Sequence, residues 1–175
     1  MRVLLSTASL ITAALAAGCG EPLSPVTPTV DGASHAVSVQ AGQVRFSGKL
    51  EGAVTVTPLQ PPMANVLIEA TGNATQLGRF KLMVPHLVNF ETRTGTGTYT
   101  FTAANGDLLF ASFTGQALTP PPMVSTVENA TITGGTGRFA GATGSFIANR
   151  VFDQLSGWTT GTMEGTISSP GTSRH

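Results

Sequence analysis

Cysteine is almost absent: the 175-residue chain has one, Cys19. A single thiol excludes an intramolecular disulfide and any multi-cysteine metal site. Charge is scarce as well, with Asp, Glu, Lys and Arg making up 10% of the chain, against roughly 25% in an average soluble domain. Nine basic and nine acidic residues give no net charge, which excludes the basic footprint of a nucleic-acid binder. Aromatic residues are 6%, with one Trp and one Tyr, too few for a platform that stacks sugars or bases. Of three histidines only His86 lies in the body of the chain, so neither a metal site nor a cofactor is expected. No GxSxG occurs, and His86 beside Pro85 reads as a loop residue without an orienting acid, which argues against a hydrolase triad. Helical periodicity is missing throughout. What is abundant is Thr, Ser, Asn, 21 Gly and 11 Pro, the chemistry of strands and turns.

The N-terminus reads as an address. Arg2 precedes an apolar stretch from Val3 to Leu15, followed by small residues up to Cys19. That stretch falls short of the about 20 apolar residues of a membrane span, and its layout is that of an export signal over residues 1–18. Leu15-Ala16-Ala17-Gly18-Cys19 resembles the bacterial lipobox. The resemblance implies lipidation of Cys19, membrane attachment through that anchor and a place in the cell envelope. Gly20, where Asp would favour inner-membrane retention, implies the outer membrane if the cell has one. Residues 19–37, with Pro22, Pro25 and Pro28 among small polar residues, read as a tether. At roughly 3.3 Å per residue, such a tether reaches about 60 Å.

Residues 38–169 read as one β domain, followed by a tail over 170–175. Apolar residues alternate at period two: Val44, Phe46, Leu50, Val54 and Val56; Val66, Ile68 and Ala70; Phe80, Leu82 and Val84; Tyr99 and Phe101. Gly48 and Gly52 offer places for a bend or bulge in the first strand. Asn105-Gly106 predicts a type I′ hairpin into a fifth strand over 107–118. Three more strands follow over 124–133, 143–153 and 158–167. Eight antiparallel strands fit a sandwich or a closed up-and-down barrel. Their length favours the barrel, which also removes two weakly protected edges.

Three separated segments carry a resemblance: Gly72 to Phe80 (GNATQLGRF), Thr100 to Gly115 (TFTAANGDLLFASFTG) and Ile132 to Phe146 (ITGGTGRFAGATGSF). In that order they resemble bacterial members of the allene oxide cyclase and dirigent superfamily. The resemblance implies an eight-stranded antiparallel, calycin-like barrel with an apolar interior, in which plant members guide cyclisation or coupling of lipophilic substrates. The catalytic Glu and Cys of the plant cyclase have no clear counterparts here, so no catalytic residue is assigned.

The glycine-rich motif, Gly134, Gly135, Gly137, Arg138, Phe139 and Gly141, lacks the Lys and the following helix of a phosphate-binding loop. Its expected role is structural: tight turns, Phe139 plugging the barrel end, and Arg138 capping carbonyls or pairing with a carboxylate. The charged residues within strands read first as an outward, solvated set; Arg150, however, shares parity with Phe146, Ala148 and Phe152, and the sharper alternative is an inward pair of Glu69 with Arg150 as the candidate polar site. The connections over 58–63, 85–91, 119–123 and 154–157 should share one end, and Met63 and Met123, each after Pro-Pro, are candidate ligand contacts there.

The expected function is an exported, lipid-anchored barrel acting as a non-catalytic binding or structural module, with a small hydrophobic ligand inside. The alternative is a cyclase- or isomerase-like barrel that positions a lipophilic substrate. An interior filled by Phe46, Phe80, Phe101, Phe110 and Phe146 would favour the structural role. A void of about 300 Å³ or more would favour a ligand.

Overall fold

A strand that alternates apolar and polar side chains has one face to bury, and closing the sheet on itself buries that face without leaving an edge. The computed structural model describes residues 42–168. The segments expected to be an export signal, a tether and a tail, with Cys19, His35 and His175, lie outside the described residues. Eight strands run β1 Gln43–Pro58, β2 Met63–Ala74, β3 Gly78–Asn89, β4 Thr94–Ala103, β5 Leu108–Ala117, β6 Met123–Gly135, β7 Gly144–Asp153 and β8 Trp158–Ser168. Each pairs antiparallel with its chain neighbours, and β8 returns to β1 to close the barrel.

Connections after the odd-numbered strands gather at one end, as the sequence implies. The other end holds the start of β1, the end of β8 and the compact Gly/Asn turns. One of these differs from expectation: only Gly106 takes a positive φ, 87°, so the hairpin is not type I′. Gly106 donates to the Ala103 carbonyl, and Ala103 to that of Asp107, the pattern of a three-residue loop closed by a glycine bulge. The register passes Gly48 and Gly52 without a shift. The irregularity lies instead between β5 and β6, opposite Phe110 and Ala111.

The glycine motif seals this end. Gly137 to Phe139 form one short 3-10 turn, and Gly137 has φ 54°. The Phe139 side chain is fully buried beside Leu77. Arg138 does both expected tasks: its guanidinium donates to the Leu77 carbonyl at 3.1 Å and lies 3.9 Å from the Asp107 carboxylate. It also sits 4.8 Å above the Phe139 ring. A hydrogen bond from Asn105, then one from the Arg138 backbone N–H, holds the Asp107 carboxyl below the usual range.

Above the plug the barrel is filled by aromatic rings. Phe46 packs on Phe146 at 5.2 Å, Phe80 on Phe101 at 5.2 Å, and Tyr99 stacks on Phe101 at 5.6 Å. Phe110 is the exception to the expected filling. The run Leu108-Leu109-Phe110-Ala111 is apolar at both parities, and the strand turns Leu109, Ala111 and Phe113 inward, leaving Phe110 on the outer face.

This placement separates two aromatic truncations. Phe146→Ala should cost about 3–5 kcal/mol in urea unfolding, the usual price of deleting a core phenylalanine. Phe110→Ala should cost about 1 kcal/mol or less. The reverse order would mean that β5 is assigned the wrong face.

Candidate functional site: a hollow mouth over a buried ion pair

Towards the loop end the inward side chains become small or stop short. A cavity of about 660 Å³ opens there, walled by Val54, Val66, Ile68, Val88, Phe113 and Phe152. The polar groups that reach its floor are His86, Thr126, Glu128 and Arg150, and its mouth is edged by polar residues that include Asn89, Arg93, Gln116 and Gln154. A wider concavity on the outer face, lined in part by Lys49, Thr71, Asn73 and Lys81, has only exposed polar side chains among these four. The interior is the better candidate, because only there are charged groups withdrawn from water.

Glu128 on β6 and Arg150 on β7 are 3% and 6% exposed. Their contact is bidentate: Arg150 Nε donates to Glu128 Oε2 at 3.1 Å, and Nη2 donates to Oε1. Tyr99 Oη donates to the same carboxylate. Arg150 Nη1 reaches Thr159 Oγ1 at 3.3 Å, and Thr159 in turn donates to the Val151 carbonyl at 3.0 Å. Two buried charges are tolerated because the fork geometry and these extra bonds compensate their lost hydration. Burial, then the Glu128 charge, pushes the Tyr99 hydroxyl well above its usual pKa, so it stays a donor. Burial alone would lower Arg150, but the Glu128 carboxylate holds it above its ordinary value.

His86 stands on β3, facing inward, rather than in a loop. Pro85 interrupts pairing without ending the strand: the register with β4 stops at Met83↔Thr100 and resumes at His86↔Gly97, because proline has no N–H to offer. His86 Nδ1 lies 3.0 Å from the Val84 carbonyl. A carbonyl only accepts, so Nδ1 carries the proton and the neutral ring presents Nε2 as an acceptor. Its ring packs 5.7 Å from Phe113. Burial pushes the His86 pKa down, outweighing the Val84 bond, and Arg150 pushes it down further. Thr126 Oγ1, also at the cavity, is the one buried side-chain polar atom among the described residues without a hydrogen-bond partner.

Glycine makes room for each inward polar group. In cross-strand register Gly97 faces His86, Gly115 faces Glu128 and Gly161 faces Arg150. A Cβ at these glycines would meet His86 Cβ at 2.3 Å, Glu128 Cγ at 2.8 Å and Arg150 Cγ at 2.6 Å.

The structure brings Arg150 inside, as its parity suggests, but Glu69 is not its partner. Glu69 is exposed on the outer face of β2, whose inward side is Ala64, Val66, Ile68 and Ala70. Met63 and Met123 are likewise outside the cavity lining, because the inward side chains of β2 and β6 fall on even numbers. Glu128 was missed although Thr126, Ala130 and Ile132 share its face. Among the described residues no group of three His, Cys, Asp or Glu side chains gathers to hold a metal ion.

No protein-family model and no curated protein matches the sequence. Among solved structures, a pterocarpan synthase dirigent protein shares the fold, with a TM-score of 0.52 and 13% identity over 76% of this chain and 88% of that one. The class is therefore a closed eight-stranded antiparallel barrel. In particular it is a dirigent-like barrel.

Glu128→Gln should destabilise the protein by about 3–5 kcal/mol, since it leaves Arg150 buried without a counter-charge. Glu128→Leu combined with Arg150→Met should recover most of that loss in chemical denaturation, whereas two additive losses would mean that the pair is not one unit. A second expectation concerns pH. The His86 pKa is lower folded than unfolded, so the unfolded chain takes up the proton first as pH falls. Stability from neutral His86 is complete above the unfolded value of about 6.5 and is lost as pH falls from there through the folded value. Denaturation midpoints at about pH 7.5 and about pH 5 should therefore differ less in His86→Phe than in the parent.

Proposed function

We propose that the protein is an exported, lipid-anchored barrel that binds one small lipophilic molecule without net charge in its mouth-side cavity. The single observation that carries binding is the hollow of about 660 Å³ with mostly apolar walls and a polar floor. That size and lining match small-molecule sites. Glu128 and Arg150 cancel each other's charge, and His86 is held towards its neutral form. An ionised headgroup on the floor would gain no counter-charge and would lose its hydration, since Arg93, the other charge on the lining, stands exposed at the mouth. The unpartnered Thr126 hydroxyl and His86 Nε2 are groups that a ligand's hydroxyl or carbonyl can satisfy. The reading of lipid attachment rests on the segment ending at Cys19.

A second reading is dirigent-like guidance of cyclisation or coupling, with the barrel holding a lipophilic substrate in one conformation. The fold it shares with the pterocarpan synthase dirigent protein favours this reading, as does the acceptor nitrogen of His86 at the cavity. Catalysis would show as conversion of the bound molecule that His86→Ala abolishes while binding persists.

Native mass spectrometry beside an organic extract of the purified chain tests the binding reading. A bound lipophile near one equivalent is expected, or uptake of a long-chain alcohol in preference to the matching carboxylate. Val88→Trp, which fills the cavity from its wall, should abolish uptake with little change in the circular dichroism spectrum. An empty protein that ignores neutral and acidic lipophiles alike would move the function to the outer surface.

A further inference from the structure

The rim of the cavity has a property that ligand binding inside the barrel does not require. Each of the four loops around the mouth ends in one large exposed apolar side chain: Leu59, Phe90, Leu118 and Leu155, between 43% and 86% exposed. Trp158 and Met123 stand beside them, also exposed. Isolated exposed apolar residues are ordinary, but one on every loop of a single end forms a crown.

The N–H groups of the four tip residues are paired within the chain. Leu59 N–H donates to the Met63 carbonyl at 3.0 Å, Phe90 to Pro62 at 2.9 Å and Leu118 to Ser125 at 2.7 Å. Leu155 N–H donates to the Asp153 carboxylate at 2.9 Å. Pro61, Pro62, Pro120, Pro121 and Pro122 have no N–H to satisfy. Two bonds between loops also brace the rim: Phe90 N–H donates to the Pro62 carbonyl and Gln154 N–H to the Pro122 carbonyl, each at 2.9 Å. An exposed loop in water has no need to pair its tip donors internally. A loop that leaves water does, because an unpaired N–H in an apolar phase is costly.

We infer that this crown is a docking surface for a lipid bilayer: the four tips enter the interfacial region, and the cavity opens toward the acyl chains. Trp158 at the edge suits that level, where an amphipathic ring has both apolar and wet neighbours. The charged residues at this end, Glu91, Arg93 and Asp153, nearly cancel, so the attraction is apolar and does not call for anionic lipid. Four separate tips around an open hole fit a deformable lipid surface better than a flat protein face. The inference does not depend on what the cavity holds. It gives a lipophilic ligand a route that avoids water.

Trp158 is the only tryptophan, so its emission reports the crown alone. It lies at the end of the barrel opposite the start of β1. The test adds phosphatidylcholine vesicles to the full chain and follows Trp158 emission, with and without brominated lipid. A blue shift and quenching by bromolipid are expected, with little dependence on salt. Leu118→Asp and Leu155→Asp should each weaken the lipid dependence of this signal by about tenfold or more, while circular dichroism stays that of the parent.

Three results would overturn the inference. One is Trp158 emission that vesicles neither shift nor quench, even where the chain floats with them. Another is a shift that needs anionic lipid and vanishes with salt. The third is a lipid-free shift that grows with protein concentration alongside a doubled mass, which would assign the crown to a second copy of the chain. None of these outcomes bears on ligand uptake, which is read separately by mass.

Discussion

Two full charges lie inside this barrel, and the rest of the interior is organised around keeping them together. Glu128 and Arg150 project from adjacent strands at the level where the aromatic filling ends. Without each other, either would have to shed its charge or draw in water. Tyr99 links the pair to the filled half, since its hydroxyl meets Glu128 while its ring stacks on Phe101. The ion pair is thus both the top of the core and the floor of the cavity.

The halves differ because of side-chain size along each strand. On β4 the inward residues read Gly95, Gly97, Tyr99, Phe101 and Ala103, so one strand contributes open space at the mouth and bulk below it. The inward glycines are not merely small. Gly97, Gly115 and Gly161 stand directly opposite His86, Glu128 and Arg150, the positions where a longer side chain must turn into the lumen. At the other end Phe139 and Leu77 close the barrel, held by Arg138, so the hollow has one mouth. Of the loop tips, Phe90 lines the mouth of the cavity.

Much of this was legible in the sequence, because period-two alternation states directly which residues share a face. The strand positions over β5 to β8 fall within two residues of expectation, and the parity Arg150 shares with Phe146 and Ala148 is the signal that points it inward against the plainer expectation of an outward charge. Its partner was not found, because Glu69 drew attention as a charge among apolar residues while Glu128 sits among Asn, Thr and Val. The parity of Thr126, Ala130 and Ile132 held the answer. His86 was obscured by Pro85, which signals a turn by its chemistry but here only interrupts one side of a ladder. Phe110 was obscured by a run apolar at both parities. Pairing across strands, which sets glycine against His, Glu and Arg, needs the register and cannot be read from a single strand.

The fold is shared with a dirigent protein, and the interior carries a buried ion pair beneath a hollow. The proposed ligand is a neutral lipophile that settles on the floor made by His86, Thr126 and the ion pair. Nitrogen NMR of histidine-labelled protein tests it most directly, since the chain has only three histidines. The account predicts a neutral His86 ring protonated at Nδ1 near pH 7, whose Nε2 resonance moves when a long-chain alcohol is added and stays in place in Val88→Trp. A ring protonated at Nε2, or an Nε2 resonance indifferent to every lipophile that the protein takes up, would contradict it.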